Sequence, residues 1–209
     1  MRMRRLLLIL VTLLVPLFAL SVPTGLNIMP TAESVGMAKS QVTYESQGSG
    51  KLYVPESSTL YGTQFGAIFG VEGGIDQVSG KGTVLNGKWV FRSEGLLFPA
   101  LAVGVQNVHA GDKSQYYIAA TKSLLPSGTL KAHAGLLRLD GDTLTMIGAS
   151  AIFSSLILKA DHVNGGPLSG SAVSVGIKSS SYTITGTRYF MENRHDETTF
   201  SINYSYAGF

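Results

Sequence analysis

Apolar and polar residues alternate with a period of two along most of this chain, which sorts the side chains of each segment onto two faces. Leu101, Val103 and Val105 oppose Ala102, Gly104 and Gln106. Val173, Val175 and Ile177 oppose Ala172, Ser174, Gly176 and Lys178, and Phe200, Ile202, Tyr204 and Tyr206 oppose Ser201, Asn203, Ser205 and Ala207. Leu85, Trp89 and Phe91 face away from Asn86 and Lys88, with Val90 out of phase, and Leu156, Leu158 and Ala160 face away from Lys159 and Asp161, with Ile157 out of phase. Gly- and Asp-rich stretches such as Asp140-Gly141-Asp142 and Asn164-Gly165-Gly166-Pro167 cut the pattern at short intervals. Short alternating strands of even spacing between such turns predict an antiparallel sandwich or barrel.

The predicted strands cover 32–46, 57–66, 70–79, 84–93, 98–108, 114–122, 129–139, 144–152, 155–163, 170–178, 181–190 and 198–209. Twelve is the even number that an up-and-down barrel needs to bring both chain ends to one side. Ten is the alternative, if the weak breaks near 67–69 and 153–155 are bends within longer strands. With the N-terminus periplasmic, the odd-numbered connections face outward. They hold most of the charged turns, including Asp112, Lys113, Asp140, Asp142 and Glu192 to Glu197, although Leu124 to Gly128 makes a rather long inner turn.

Composition separates a barrel in lipid from a sandwich in water. Only 14% of the residues are charged, whereas a soluble sheet shows many more Lys and Glu on its outer face. Aromatics such as Tyr61, Phe65, Phe98, Tyr116, Tyr117, Tyr189, Phe190 and Tyr206 sit near strand ends, where a membrane barrel carries its interfacial girdles. These features favour an all-β, antiparallel, up-and-down transmembrane β-barrel over residues 22–209. A soluble periplasmic or secreted β-sandwich that binds a ligand is the alternative, and a barrel that hydrolyses lipids is the third reading.

The first residues predict export. Arg2, Arg4 and Arg5 precede an apolar run from Leu6 to Leu20, and Ala19-Leu20-Ser21 supplies the small residues of a cleavage site. This is the pattern of a secretory signal peptide, 1–21, with cleavage before Val22. The run is short for a spanning helix and contains Pro16. Its removal also changes the charge: the formal net charge of +3, from 16 Lys and Arg against 13 Asp and Glu, falls to zero once three arginines leave. The basicity therefore belongs to the leader and predicts no nucleic-acid partner. An exported chain without cysteine holds itself together without disulfides.

The ending, Tyr204-Ser205-Tyr206-Ala207-Gly208-Phe209, resembles the last strand of outer-membrane barrels, which finishes on an aromatic residue read by the barrel assembly machinery. That resemblance makes Phe209 the assembly signal, although Phe200, Ile202, Tyr204 and Tyr206 lie on the face opposite to it. Pro30-Thr31-Ala32-Glu33, Gln64-Phe65-Gly66, Val71-Glu72-Gly73-Gly74-Ile75-Asp76, Asn86-Gly87-Lys88, Pro99 to Val105 and Lys159-Ala160-Asp161-His162 resemble, in order, stretches of the YjbH-like outer-membrane barrels associated with exopolysaccharide production. The resemblance implies an outer-membrane barrel in contact with lipid, and a role near surface polysaccharide.

Chemistry is sparse. His109, His133, His162 and His195 have no metal-type spacing, and Gly-x-Ser-x-Gly is absent. Gly82 to Lys88 has the glycine and lysine spacing of a phosphate loop, but Trp89 replaces the hydroxyl that would hold magnesium. The sequence thus predicts no enzyme, no cofactor and no metal site. What remains is the lumen, with Glu72, Asp76, Lys88, Lys131, His133, Lys159, Asp161 and Lys178 on predicted inward faces. Charges enclosed in a narrow barrel pair with one another or with water, so the expectation is a salt-bridged interior, with a selective pore for small solutes or polysaccharide as the alternative.

Overall fold

The computed structural model describes residues 25–46, 58–109, 113–165, 169–192 and 195–207. The signal segment 1–21 and Phe209 lie outside them. Among the described residues, twelve antiparallel strands close into one barrel. They are β1 (Lys39–Ser46), β2 (Leu60–Gly66), β3 (Val71–Val78), β4 (Gly82–Arg92), β5 (Ala100–Val108), β6 (Gln115–Ser123), β7 (Leu130–Leu139), β8 (Asp142–Phe153), β9 (Leu156–Asn164), β10 (Gly170–Lys178), β11 (Tyr182–Met191) and β12 (Glu197–Ala207). Each strand pairs with its neighbours in sequence, and β1 closes on β12 from Lys39 opposite Ala207 to Ser46 opposite Phe200. Closure leaves no sheet edge unpaired.

The two breaks near 67–69 and 153–155 are true turns, which selects twelve strands over ten. Ala67–Gly70 turns through Phe69, whose φ is 57°, and Ser154 turns at φ 56°. Among the described connections, length varies at both ends of the barrel. At the end of the barrel away from the β1 start, β7 and β8 join through Asp140 and Gly141, both at positive φ, as a two-residue hairpin turn requires. At the end holding the β1 start and the β12 end, the β4–β5 and β6–β7 connections are longer. The first is braced: Glu94 accepts hydrogen bonds from the Ser123 backbone N–H (2.7 Å) and hydroxyl (2.9 Å), and Lys122 donates to the Gly95 and Leu96 carbonyls.

The alternation holds through closure. Val42, Phe65, Trp89, Val103, Ile118, Leu136, Ile147, Leu158, Val175, Phe190 and Ile202, among others, point outward with much of their surface uncovered. Their strand neighbours Gln64, Asp76, Asn86, Lys88, Gln106, Thr121, His133 and Asp161 point inward and are buried. Small residues tune the packing at two register pairs. Phe65 lies over Gly73 outside the barrel, where a Cβ would stand 2.6 Å from the ring, and inside it Tyr117 lies over Gly104, where a Cβ would stand 2.3 Å from the phenol oxygen. An aromatic ring thus covers the backbone that each glycine leaves bare.

The first strand is shorter than expected. The predicted strand over 32–46 begins only at Lys39, because the chain before it lies inside the barrel. Gly25 bridges Pro30, and the Leu26 backbone N–H donates to the Met29 carbonyl at 3.0 Å, closing a tight turn. From that tip the segment descends the lumen to Val35. It leaves through a corner at Gly36 (φ 92°) and Ala38 (φ 54°), where the Ala38 N–H donates to the Gly66 carbonyl. The corner fits only because residue 66 is glycine: a Cβ there would fall 1.9 Å from the Gly36 oxygen.

Candidate functional site

The interior divides into two halves. Towards the loop end, Tyr117, Leu137, Leu144, Met146, Val163, Ala172, Tyr189 and Met191 form one apolar cluster. Ile28 and Met29, from the tip of the inserted segment, complete it, and Met29 is 1% exposed. Leu60, Val78 and Val84 fill the same level on the opposite wall. Towards the end that holds the β1 start, a cavity of about 310 Å³ remains. Its walls are Gln41, Thr43, Glu45, Thr183, Thr185, Thr187, Ser201 and Asn203 on one side, and Lys131, Ser150, Lys159 and Lys178 on the other. Gly128 and Thr129 of the β6–β7 connection also line it, and among the described residues no loop-end connection does. Among the described residues the cavity reaches the connections of one mouth only, and the apolar cluster lies towards the other end.

Each inward charge has a defined place. Asp161 on β9 meets the inserted turn head on: its carboxylate accepts backbone N–H groups of Asn27 (3.2 Å), Ile28 (2.6 Å) and Met29 (2.9 Å), and the Asn27 side-chain amide at 2.7 Å. Three consecutive amides aimed at one carboxylate make a charge-assisted cradle. Glu72 on β3 accepts from the Val35 N–H (3.0 Å) and from Gln64 (3.0 Å), and pairs at 3.3 Å with Lys88, whose side chain is fully buried. Asp76 accepts from Asn86 at 2.7 Å, and Asn86 in turn accepts the Asn107 N–H at a bulge where Asn107 turns to φ 61°.

On the opposite wall, Lys131 pairs with Glu33 of the inserted segment at 2.5 Å. Lys159 donates to the Gly25 carbonyl at 3.5 Å, and Lys178 lies on the cavity wall nearer the mouth. Burial favours a neutral Glu33, but the Lys131 hydrogen bond and charge, with His133 and Lys159 nearby, outweigh it and hold the carboxyl below its ordinary range. His133 bonds Thr121 through Nδ1 and Ser150 through Nε2, both at 3.0 Å, and the Thr121 oxygen accepts the Ala32 N–H of the inserted segment. This Ser–His contact joins adjacent strands β7 and β8 inside the lumen. Arg188 faces outward and reaches Thr198 and Asp196.

The inserted segment is what sequence reasoning missed. Asn27, Ile28, Met29, Ala32, Glu33 and Val35 contact Asp161, Thr121, Lys131 and Glu72 from 37 to 134 positions away. The only local sign was Asn27-Ile28-Met29-Pro30, a stretch without alternation and containing a proline that a central strand would not hold.

No protein-family model and no curated protein matches the chain. Its fold is similar to that of solved porins. KdgM porin superposes with a TM-score of 0.58 at 9% identity, over 80% of this chain and 99% of that one. KdgM porin in complex with disordered oligogalacturonate gives 0.57, with the same identity and coverage. Variants of the Rhodopseudomonas blastica porin align more weakly, at 0.45 and 10% identity for one of them, and this chain spans about 55% of their length. The likeness to KdgM porin is one of fold, a β-barrel matched over nearly the whole length of that chain.

Proposed function

We propose that this chain spans the bacterial outer membrane and acts as a narrow channel for polar solutes, held shut in the present state by its own N-terminal segment. The carrying observation is the inversion of sides. Large apolar residues project outward all round the barrel, while hydroxyls, amides and charges face a cavity inside. A soluble sandwich of two sheets buries its apolar faces between them, whereas a barrel in lipid turns them out. The likeness to KdgM porin supports a channel. In this reading the β1 start and the β12 end face the periplasm, Phe209 is read by the assembly machinery, and residues 1–21 are removed on export.

The polar wall suits a hydroxylated solute, and Lys131, Lys159 and Lys178 add positive charge beside it. An anionic sugar or oligosaccharide satisfies both, in keeping with the oligogalacturonate bound by KdgM porin and with the YjbH-like resemblance. Reconstitution in a planar bilayer tests the proposal. The full chain is expected to give a low or intermittent conductance, and a chain lacking residues 25–35 a steady and larger one. A protein that stays soluble without detergent and shows no heat-modifiable gel mobility would refute it.

A further inference from the structure

Glu33 is the acidic side chain that the inserted segment presents to the lysine wall of the cavity. It pairs with Lys131 at 2.5 Å, and Lys159, His133 and, from the opposite wall, Lys88 also bear on it. Register places these groups together: Lys131 lies opposite Ser150, Ser150 opposite Lys159, and Lys159 opposite Ser174. This is one row across four adjacent strands, with the two ammonium-bearing positions separated by roughly two strand spacings, or about 10 Å. Lys178 stands between this row and the mouth on the same wall. Glu33 itself lines the cavity, with 38% of its side chain exposed.

Resting on the channel reading above, we infer that Glu33 is a tethered stand-in for the carboxylate of a soluble anion, and that carboxylate-bearing solutes compete with it for Lys131 and Lys159. A carboxylate arriving through the mouth meets Lys178 first and then the pair that Glu33 occupies. Displacing Glu33 removes the salt bridge that ties the lower part of the inserted segment to this wall. The anion is thus both ligand and key. Because the competing group is attached to the barrel, its effective concentration is high, and wild-type affinity for the free anion is lowered by the fraction of time Glu33 is bound.

Calorimetric titration of the detergent-solubilised full chain with glutarate tests this directly. Glu33→Gln is expected to bind glutarate roughly tenfold more tightly than wild type, since the internal competitor is gone. Lys131→Met in the Glu33→Gln background is expected to lose that gain. Equal affinity in wild type and Glu33→Gln, binding that survives Lys131→Met, or no binding by Glu33→Gln would each overturn the inference. Heat-modifiable mobility identifies the folded barrel in each variant, and Lys131→Arg, which keeps the charge, is expected to restore binding. Conductance is scored separately. Binding with the expected pattern but no conductance defeats the channel reading alone, and conductance without the pattern defeats the latch alone.

Discussion

The two halves of the lumen are built from the same alternating strands, yet one gathers an apolar cluster beside the buried Asp76–Asn86 and Gln106–Gln115 pairs, and the other holds an open polar cavity. In the loop-end half, inward positions carry Leu137, Leu144, Met146, Val163 and Met191, and the tip residues Ile28 and Met29 fill the space between them. In the half nearer the chain ends, they carry Lys131, Ser150, Lys159, Thr183, Thr185 and Asn203, and the space stays open. The inserted segment follows the same division. Its tip is seated by burial and by the Asp161 carboxylate, and its stem is held by single hydrogen bonds and the Glu33–Lys131 pair. A seal needs closely packed side chains that exclude water, and a permeable region needs polar groups that water or solute can satisfy.

The comparison can be broken from either side. The largest effect is expected from Lys88→Met, which strands the Glu72 carboxylate in a site where the two side chains are 0% and 2% exposed. Removing one partner of a buried pair costs about 3–5 kcal/mol, read as a lower urea midpoint for loss of the heat-modifiable form. Met29→Ala attacks the seal itself. It is expected to cost roughly 2–5 kcal/mol by emptying a core position, and to raise the conductance of the closed state by letting water through. Asp161→Asn keeps the shape but replaces one acceptor oxygen with a donor facing the N–H groups of residues 27–29. A loss of about 1–2 kcal/mol is expected, with faster hydrogen exchange at Ile28 and Met29.

The smallest effect sharpens the comparison through pH. Glu33 sits below its ordinary range because Lys131, His133 and Lys159 outweigh its burial. Its ionised form is therefore favoured in the closed state. Its contribution is complete above the ordinary carboxylate range and is lost as pH falls through the lowered value. Acidification is expected to raise the open probability in planar bilayers, and Glu33→Gln to flatten that dependence. The tip also rests on a carboxylate, that of Asp161, so Glu33→Gln isolates the part of the slope that belongs to the stem.

Strands, faces and turns were legible because each is a local property. Period-two alternation placed Leu85, Trp89 and Phe91 outside and Asn86 and Lys88 inside, and Asp140-Gly141 marked a hairpin that the backbone forms with both residues at positive φ. The partners of the inward charges were not legible. Asp161 and Lys131 read as wall charges awaiting wall partners, and their partners come from Asn27, Ile28, Met29 and Glu33, 98 to 134 positions upstream. The predicted first strand takes in residues 32–38, which lie instead before the start of β1. The Gly36 corner that ends the insertion owes its shape to Gly66, on a different strand. What a segment does by folding into the middle of other strands leaves no period behind.

The inserted segment joins β1 directly, and β1 is the strand that closes against β12. This has a consequence for the order of events in assembly. A ring that has already shut can admit the tip only through the mouth and past the lysine wall. A ring still open along the β1–β12 seam can instead wrap around it. Seating Asn27 to Met29 on Asp161 before the seam pairs would bring β1 to the β9 side and shorten its search for β12. Filling and closing then become one step, and the cork serves as the template on which the last seam is laid.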